Sequence, residues 1–300
     1  MPVSGLVLAA NYSPALVSLL GEQPGVVHAV KVSQFDQEGC LDLYREMGVR
    51  APGLGLRAGL FLHGLGQCLA PGQVDFWSAF DQDALKTALE VTQTEYLSMH
   101  LECVVPEDGF QADVFLRNLC VDVSTLHDLT GLETKLENAS VSAPRPGRPE
   151  SPMVLADPSF IKEALSATGS RFVLDVAHAQ VSASRLGKEP SEYIRELPLD
   201  LVDEVHVSGV ALVDGTLRDR HVEMDEESFA LTGMVLGLAR PRTVTLEYGG
   251  LGPVFEGRSD RDVLLRQIER LRRTLRALPE DYLRPSSMTT PPTMISSTGQ

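Results

Sequence analysis

Seven histidines occur in the chain, and five of them stand where chemistry could be done. LFLH closes on His63 and YLSMH on His100. RFVLDVAH carries Asp175 and, three residues on, His178, while VDEVH closes on His206. RDRH sets Asp219 two residues before His221. Two further apolar runs end in acids: KLEN at Glu137 and Asn138, and TVTLE at Glu247. A single histidine at a strand end is more often a satisfied core residue than a ligand. Five imidazoles and four carboxylates following one rule form a ligand set. Mixed nitrogen and oxygen donors in this number suit about two or three first-row ions, and sites with open positions favour iron, manganese or zinc. Asp175, His206 and Asp219 are the residues expected closest to the chemistry. Asn138 could orient Glu137 or contact substrate.

These residues are useful only if the fold gathers them. Each sits at the end of a short apolar run of the kind that makes a buried strand. Strands are expected at 5–9, 26–32, 60–63, 96–100, 132–137, 172–175, 202–206 and 243–247. Between them lie helical patterns: 14–20 with Ser13-Pro14 at its start, then 36–47, 81–92, 111–129, 157–167 capped by Asp157-Pro158, 190–197, 225–238 and 259–278. The last carries Leu264, Ile268, Leu271 and Leu275 as one stripe and begins with a Ser259 cap. Residues 64–77 and the polar stretch 214–224 are expected as loops. Strand alternating with helix eight times is an α/β, single (β/α)8 TIM barrel, whose active sites lie at the C-terminal strand ends. Residues 1–280 form that domain, and the Ser/Thr/Pro-rich 281–300 is a disordered tail.

The composition sets limits. The chain has 300 residues, 43% of them hydrophobic, and a formal net charge of −15. A surface this acidic disfavours nucleic acid. Cys40, Cys68, Cys103 and Cys120 show no CxxC pair and read as reduced thiols. The start, MPVSGLVLAANYSP, lacks the pattern of a signal peptide, and no apolar run is long enough to span a membrane. The cytoplasm is the expected compartment. His28 and His127 fall outside the strand-end rule and are expected to be structural. Glu102 reads as a solvated loop acid.

In order and spacing, LFLHGLGQCL, YLSMHLE, LENAS, FVLDVAHAQVSA, VDEVHVSG, RDRH and TVTLE resemble the multinuclear non-haem iron-dependent oxidases. The resemblance runs from about His63 to Glu247. It implies that His63, His100, Glu137, Asp175, His178, His206, Asp219, His221 and Glu247 bind about two or three irons of mixed Fe(II)/Fe(III) valence. It further implies O2 as co-substrate and a ribosomal precursor peptide, with cysteine foremost, as the molecule modified. A small partner protein would present that peptide. The chain departs from the family pattern at Met99, at Gly209-Val210 and at Tyr248-Gly249, and the N-terminal strands, with Lys31, match poorly. The metal core therefore carries over better than the substrate shell. The competing readings are a divalent-metal sugar isomerase and a zinc phosphodiesterase like the abasic-site endonucleases. Net charge counts against the second. Against the first stands the shortage of strand lysines, Lys31 being the one read in a strand.

Overall fold

Period-two alternation in short apolar runs builds a closed barrel. The computed structural model describes residues 5–66, 70–73, 75–103, 109–141, 151–252, 255 and 257–279. Eight parallel strands close it: β1 (Val7–Asn11), β2 (Ala29–Val32), β3 (Gly59–His63), β4 (Tyr96–His100), β5 (Glu133–Glu137), β6 (Arg171–Asp175), β7 (Val202–Val207) and β10 (Thr243–Leu246). The order around the barrel is β1-β10-β7-β6-β5-β4-β3-β2, as the sequence led us to expect of a TIM barrel. The helices are α1 (Pro14–Glu22), α2 (Cys40–Arg50), α3 (Phe76–Ala79), α4 (Gln82–Thr92), α5 (Ala112–Thr130), α6 (Pro158–Thr168), α7 (Val176–Leu186), α8 (Pro190–Glu196), α9 (Glu226–Leu238) and α10 (Arg261–Arg276). Among the described residues, no helix is long and apolar enough to cross a membrane.

Register stacks the inward-facing residues in layers. Val7, Ala9, Ala29, Phe61 and Tyr96 pack together as an apolar floor. Above them Lys31, Ser98, Lys135, Glu204 and Thr245 meet one another inside the barrel. Two residues further along, His100 pairs in register with Glu137 and Asp175 with His206. This third layer is the one that faces the open end. The opposite strand faces pack on the helices: Leu62, Leu97, Leu136, Leu174, Val205 and Val244 join the main core.

Capping follows the sequence at two helices. Ser13 accepts from the Leu16 N–H at 3.2 Å ahead of Pro14, and Asp157 accepts from Ser159 at 2.8 Å ahead of Pro158. At α10 the cap is Asp260, which accepts from Val263 at 2.8 Å, and not Ser259.

Three features depart from expectation. Helix α7 follows β6 directly, in a stretch given no element by its pattern. Val176 to Ala183 are all buried, so a helix of small residues shows no polar face to betray its period. The polar stretch after β7 is a hairpin, β8 (Gly209–Val213) paired with β9 (Thr216–Val222). Asp214 and Gly215 both take positive φ at its tip, 50° and 73°, the backbone a two-residue hairpin turn requires. Third, Lys31 is not the one strand lysine: Lys135, which falls within the strand expected at 132–137, lies in β5 with its side chain 1% exposed. The proposed tail, residues 281–300, and Cys68 lie outside the described residues.

Candidate functional site

Strand ends deliver the candidate ligands to one place. His63, Glu137, His206 and Asp175 are buried, and Glu247 stands one residue past β10. His63 Nε2 lies 3.3 Å from Glu137 Oε2, and His206 Nδ1 lies 3.2 Å from the same oxygen. His206 Nδ1 is also 3.3 Å from Glu247 Oε1. His100 Nε2 reaches Glu137 Oε1 at 3.8 Å, and His178 Nδ1 reaches it at 3.1 Å. One donor atom from each of His63, His206 and Glu247 lies within 4.8 Å of the others. The same holds for His63, His100 and Glu137, and for Glu137, Asp175 and His206.

The hairpin adds the remaining pair. Asp219 Oδ2 lies 3.1 Å from His221 Nε2 and 3.5 Å from His178 Nε2, and His221 Nε2 lies 3.6 Å from Glu247 Oε2. His221 holds φ at 47°, a strained value for a residue with a Cβ. Gly209 makes the hairpin base possible, because a Cβ there would stand 2.2 Å from the Glu223 carbonyl oxygen. Ser208 donates to Asp219 Oδ1 at 3.0 Å and steadies it. All nine residues singled out as metal ligands from the sequence thus lie in one cluster.

Several atoms of this cluster are buried without a hydrogen bond: both oxygens of Glu137, Oδ2 of Asp175, and Nδ1 of both His206 and His221. The Glu137 oxygens and His206 Nδ1 have charged neighbours within 3.8 Å, none of them in hydrogen-bonding geometry. Leaving such groups unpaired is costly. Cations supplied to the cluster would satisfy the Glu137 oxygens, Asp175 Oδ2 and His206 Nδ1 together, so the residues present fit a metal centre.

The charges are strongly coupled. Burial opposes ionisation of Glu137, but His206, His100 and His63 outweigh it and hold the carboxyl well below its ordinary range. Burial, with Glu137, Asp219 and Glu247 nearby, pushes Asp175 up to about 7 despite His178. Burial and Lys31 act against protonation of His206, yet Glu137 and Glu247 raise it to about 10. His221 is raised to about 9, where Asp219 and Glu247 overcome burial. His63 moves the other way, well below the usual imidazole value, chiefly through burial. A site that shifts neighbouring groups apart in this way is typical of functional centres.

Second contacts orient the ligands. The Asn138 amide clamps the end of β6, accepting from Asp175 N at 2.8 Å and donating to Asp175 O at 3.0 Å. The Asn138 carbonyl oxygen lies 2.9 Å from His178 Nδ1. Asn138 is 1% exposed, and its side chain holds Asp175 and not Glu137, the carboxylate the sequence offered for it to orient. Glu204, which the sequence reading passed over inside VDEVH, stands 3.2 Å from His206 Nε2.

A cavity of about 300 Å³ opens over the cluster. His63, His100, His178 and His221 line its floor, and Tyr12, Gln34 and Lys31 line the side formed by the ends of β1 and β2. Glu102, expected to be solvated, lines the cavity as well. Cys103, in contrast, is buried at 3% exposure. His28 is structural, as expected: its Nδ1 accepts from Leu8 N at 3.0 Å, and burial with Arg57 and Arg272 lowers it to about 4. The surface-exposed His127 lies on α5, outside the cluster.

Comparison with known proteins bears on the family and the fold. A family model for RiPP precursor modification enzymes, MbnB/TglH/ChrH, matches residues 55–260. A UPF0276 protein of Caulobacter sp. (strain K31) is 27% identical over 185 residues, covering 58% of this chain and 65% of that protein, so the match spans less than two thirds of the relative's length. Among solved structures, a D-tagatose 3-epimerase-like protein superposes with a TM-score of 0.58 at 15% identity, over 90% of this chain and 97% of that one. The IolI protein, solved with a bound zinc atom, gives 0.56 at 13% identity over 94% and 100%. Likeness at such identity shows the barrel fold alone.

Proposed function

Because the chain belongs to the family of RiPP precursor modification enzymes MbnB/TglH/ChrH, we propose that it oxidises a residue of a ribosomally made precursor peptide, cysteine foremost, using O2 and non-haem iron. The observation that carries this reading is the buried cluster of orphaned ligand atoms on Glu137, Asp175 and His206. His63, His100, Glu137, Asp175, His178, His206, Asp219, His221 and Glu247 would hold about two or three irons in mixed Fe(II)/Fe(III) valence. Bound there, iron supplies a Lewis acid that favours a deprotonated sulfur ligand and a redox partner for O2.

The chain's own residues prepare that chemistry. Asn138 fixes the end of β6, so that Asp175 and His178 hold their spacing without help from substrate. Asp219 and His221 ride on the β8–β9 hairpin, which lets one part of the ligand set respond to peptide entry while the strand-end ligands stay fixed. The cavity of about 300 Å³ suits one side chain with its adjoining backbone, not a folded protein domain. A small partner protein that presents the peptide belongs to the same reading, as does a cytoplasmic setting. Free Cys40, Cys103 and Cys120 are in keeping with that setting.

The test is metal content and valence of protein purified without oxygen, followed by turnover with cysteine-containing precursor peptides encoded beside the gene. A metal-loaded protein that consumes O2 and changes the peptide's mass supports the proposal. Loss of iron binding in neither His206→Ala nor Asp175→Ala would sink the ligand assignment.

A further inference from the structure

Directly under the candidate metal layer, the barrel interior holds charge where such barrels usually hold branched aliphatic side chains. Glu204 is the hub. Its Oε1 takes the Lys31 ammonium and the Thr245 hydroxyl, the latter at 2.8 Å, and its Oε2 takes Lys135 Nζ at 3.1 Å. Lys135 continues to Asp203 Oδ2 at 2.9 Å, and Arg242 closes on Asp203 with bonds of 2.6 and 3.0 Å. Glu204 is wholly buried, and Lys31 is 2% exposed. Replacing buried ion pairs by aliphatic residues of similar volume is often neutral or stabilising, so stability alone is a weak reason for this arrangement. The arrangement therefore matters for what it touches.

It touches His206. Nε2 of that ring lies 3.2 Å from Glu204 Oε1 and 2.7 Å from Lys31 Nζ. Nδ1, on the other edge, faces Glu137 and Glu247 and has no hydrogen-bond partner. A neutral imidazole carries one N–H and one lone pair, and the partner of the N–H decides which nitrogen offers the lone pair. A carboxylate behind a metal-binding histidine fixes both ring orientation and tautomer.

We propose that Glu204, with Lys31 bound to it, is the positioning residue of His206: the pair occupies the Nε2 edge of the ring and thereby presents Nδ1 to the metal layer. This rests on the reading of His206 as a metal ligand. Lys31 neutralises the buried carboxylate from the cavity side, while Lys135 and Thr245 hold it from the other sides.

The test uses the full chain and Fe(II) alone, titrated without oxygen, with thermal unfolding of each metal-free variant measured in parallel. The double variant Lys31→Met/Glu204→Leu removes the pair together and leaves no uncompensated charge between them. It is expected to fold, and to bind iron about 10- to 100-fold more weakly with an altered Mössbauer signature for one iron. Glu204→Gln, which keeps an acceptor, should recover most of the affinity. Arg242→Met disturbs the outer end of the same charge network, where Arg242 is bound to Asp203 and not to Glu204 or His206, and should leave iron affinity near that of the unaltered chain. Unaltered binding in the double variant overturns the proposal, as does an equal loss in Arg242→Met. Should His206→Ala itself bind iron normally, the ligand reading has failed first; a loss in His206→Ala with none in the double variant overturns the positioning role alone.

Discussion

Asp175 accepts a hydrogen bond from the backbone N–H of His178 at 2.6 Å through Oδ1, while its Oδ2 lies buried without a partner among the candidate ligands. One carboxylate therefore caps α7 and faces the metal layer at once. The three-residue spacing of Asp175 and His178 is the spacing of a helix N-cap to its third position. The two tasks can be separated by substitution. Asparagine caps helices about as well as aspartate, so Asp175→Asn should leave the melting temperature of the metal-free protein unchanged or raised, since a crowded charge is gone. Asp175→Ala should lose the cap as well, at about 1 kcal/mol. Both should lose metal binding. Calorimetric melts beside an iron titration check this, and normal iron binding by Asp175→Asn would refute it.

Protons must leave before metal can enter. In the metal-free protein, Asp175 stands at about 7, His221 at about 9 and His206 at about 10. Burial opposes protonation of His178, but Asp175, Asp219 and Glu137 raise it well above the usual imidazole value as well. At neutral pH all three imidazoles carry a proton that a metal ion must displace, so metal binding should release roughly three protons at pH 7, and affinity should strengthen as pH rises toward 9. Titration calorimetry in buffers of different ionisation enthalpy reads the proton count directly. Affinity that stays flat from pH 6 to 9 would argue against this ligand set.

Asp203 gives an acid-side prediction away from the metal. Burial works against its ionisation, but Lys135 and Arg242 more than compensate and hold it below the ordinary aspartate value of 3.8. A carboxyl lowered in the folded state adds stability that is complete above its unfolded value and is lost as pH falls below that value. Asp203→Asn should therefore cost about 2 kcal/mol at pH 7, a figure reduced from that of a fully buried pair because Arg242 is half exposed. The gap to the unaltered protein should close below about pH 3.8. Urea unfolding at a series of pH values tests it. A constant gap across the range would show that the loss is one of packing.

The strands and their chemistry were legible in the sequence because both follow short-range rules. YLSMH is β4 to the residue, and RFVLD is β6. The clustering of the nine candidate residues was legible because a barrel brings strand ends together whatever their separation along the chain. Helix α7 escaped because burial on all sides erased its period. The hairpin escaped because every residue of β9 is half-buried, so no alternation between core and water marks the strand. Glu204 escaped for another reason: its meaning depends on Lys31 and Lys135, 173 and 69 residues away, and no local pattern couples them. The family match begins at residue 55, beyond β1 and β2, whose ends line one side of the cavity. Substrate choice is the property least constrained by that match.

Metal identity separates the oxidase from its rivals, since isomerase and hydrolase barrels can use the same ligand types at the same strand ends. Lysine placement no longer separates them as the sequence suggested. Lys31 and Lys135 are both in strands, and both are committed to Glu204. Nine candidate ligands in one cluster, four of them carboxylates, are more than a single ion needs. Protein purified without oxygen from iron-enriched cells should hold about two or three irons per chain, and its Mössbauer spectrum should show coupled or mixed-valent sites. Removal of that metal should lower the melting temperature, because the like charges on Asp175, Asp219 and Glu247 would lose their shared counter-ion. Zinc or manganese alone, with iron refused on reconstitution, would shift the reading to isomerisation or hydrolysis.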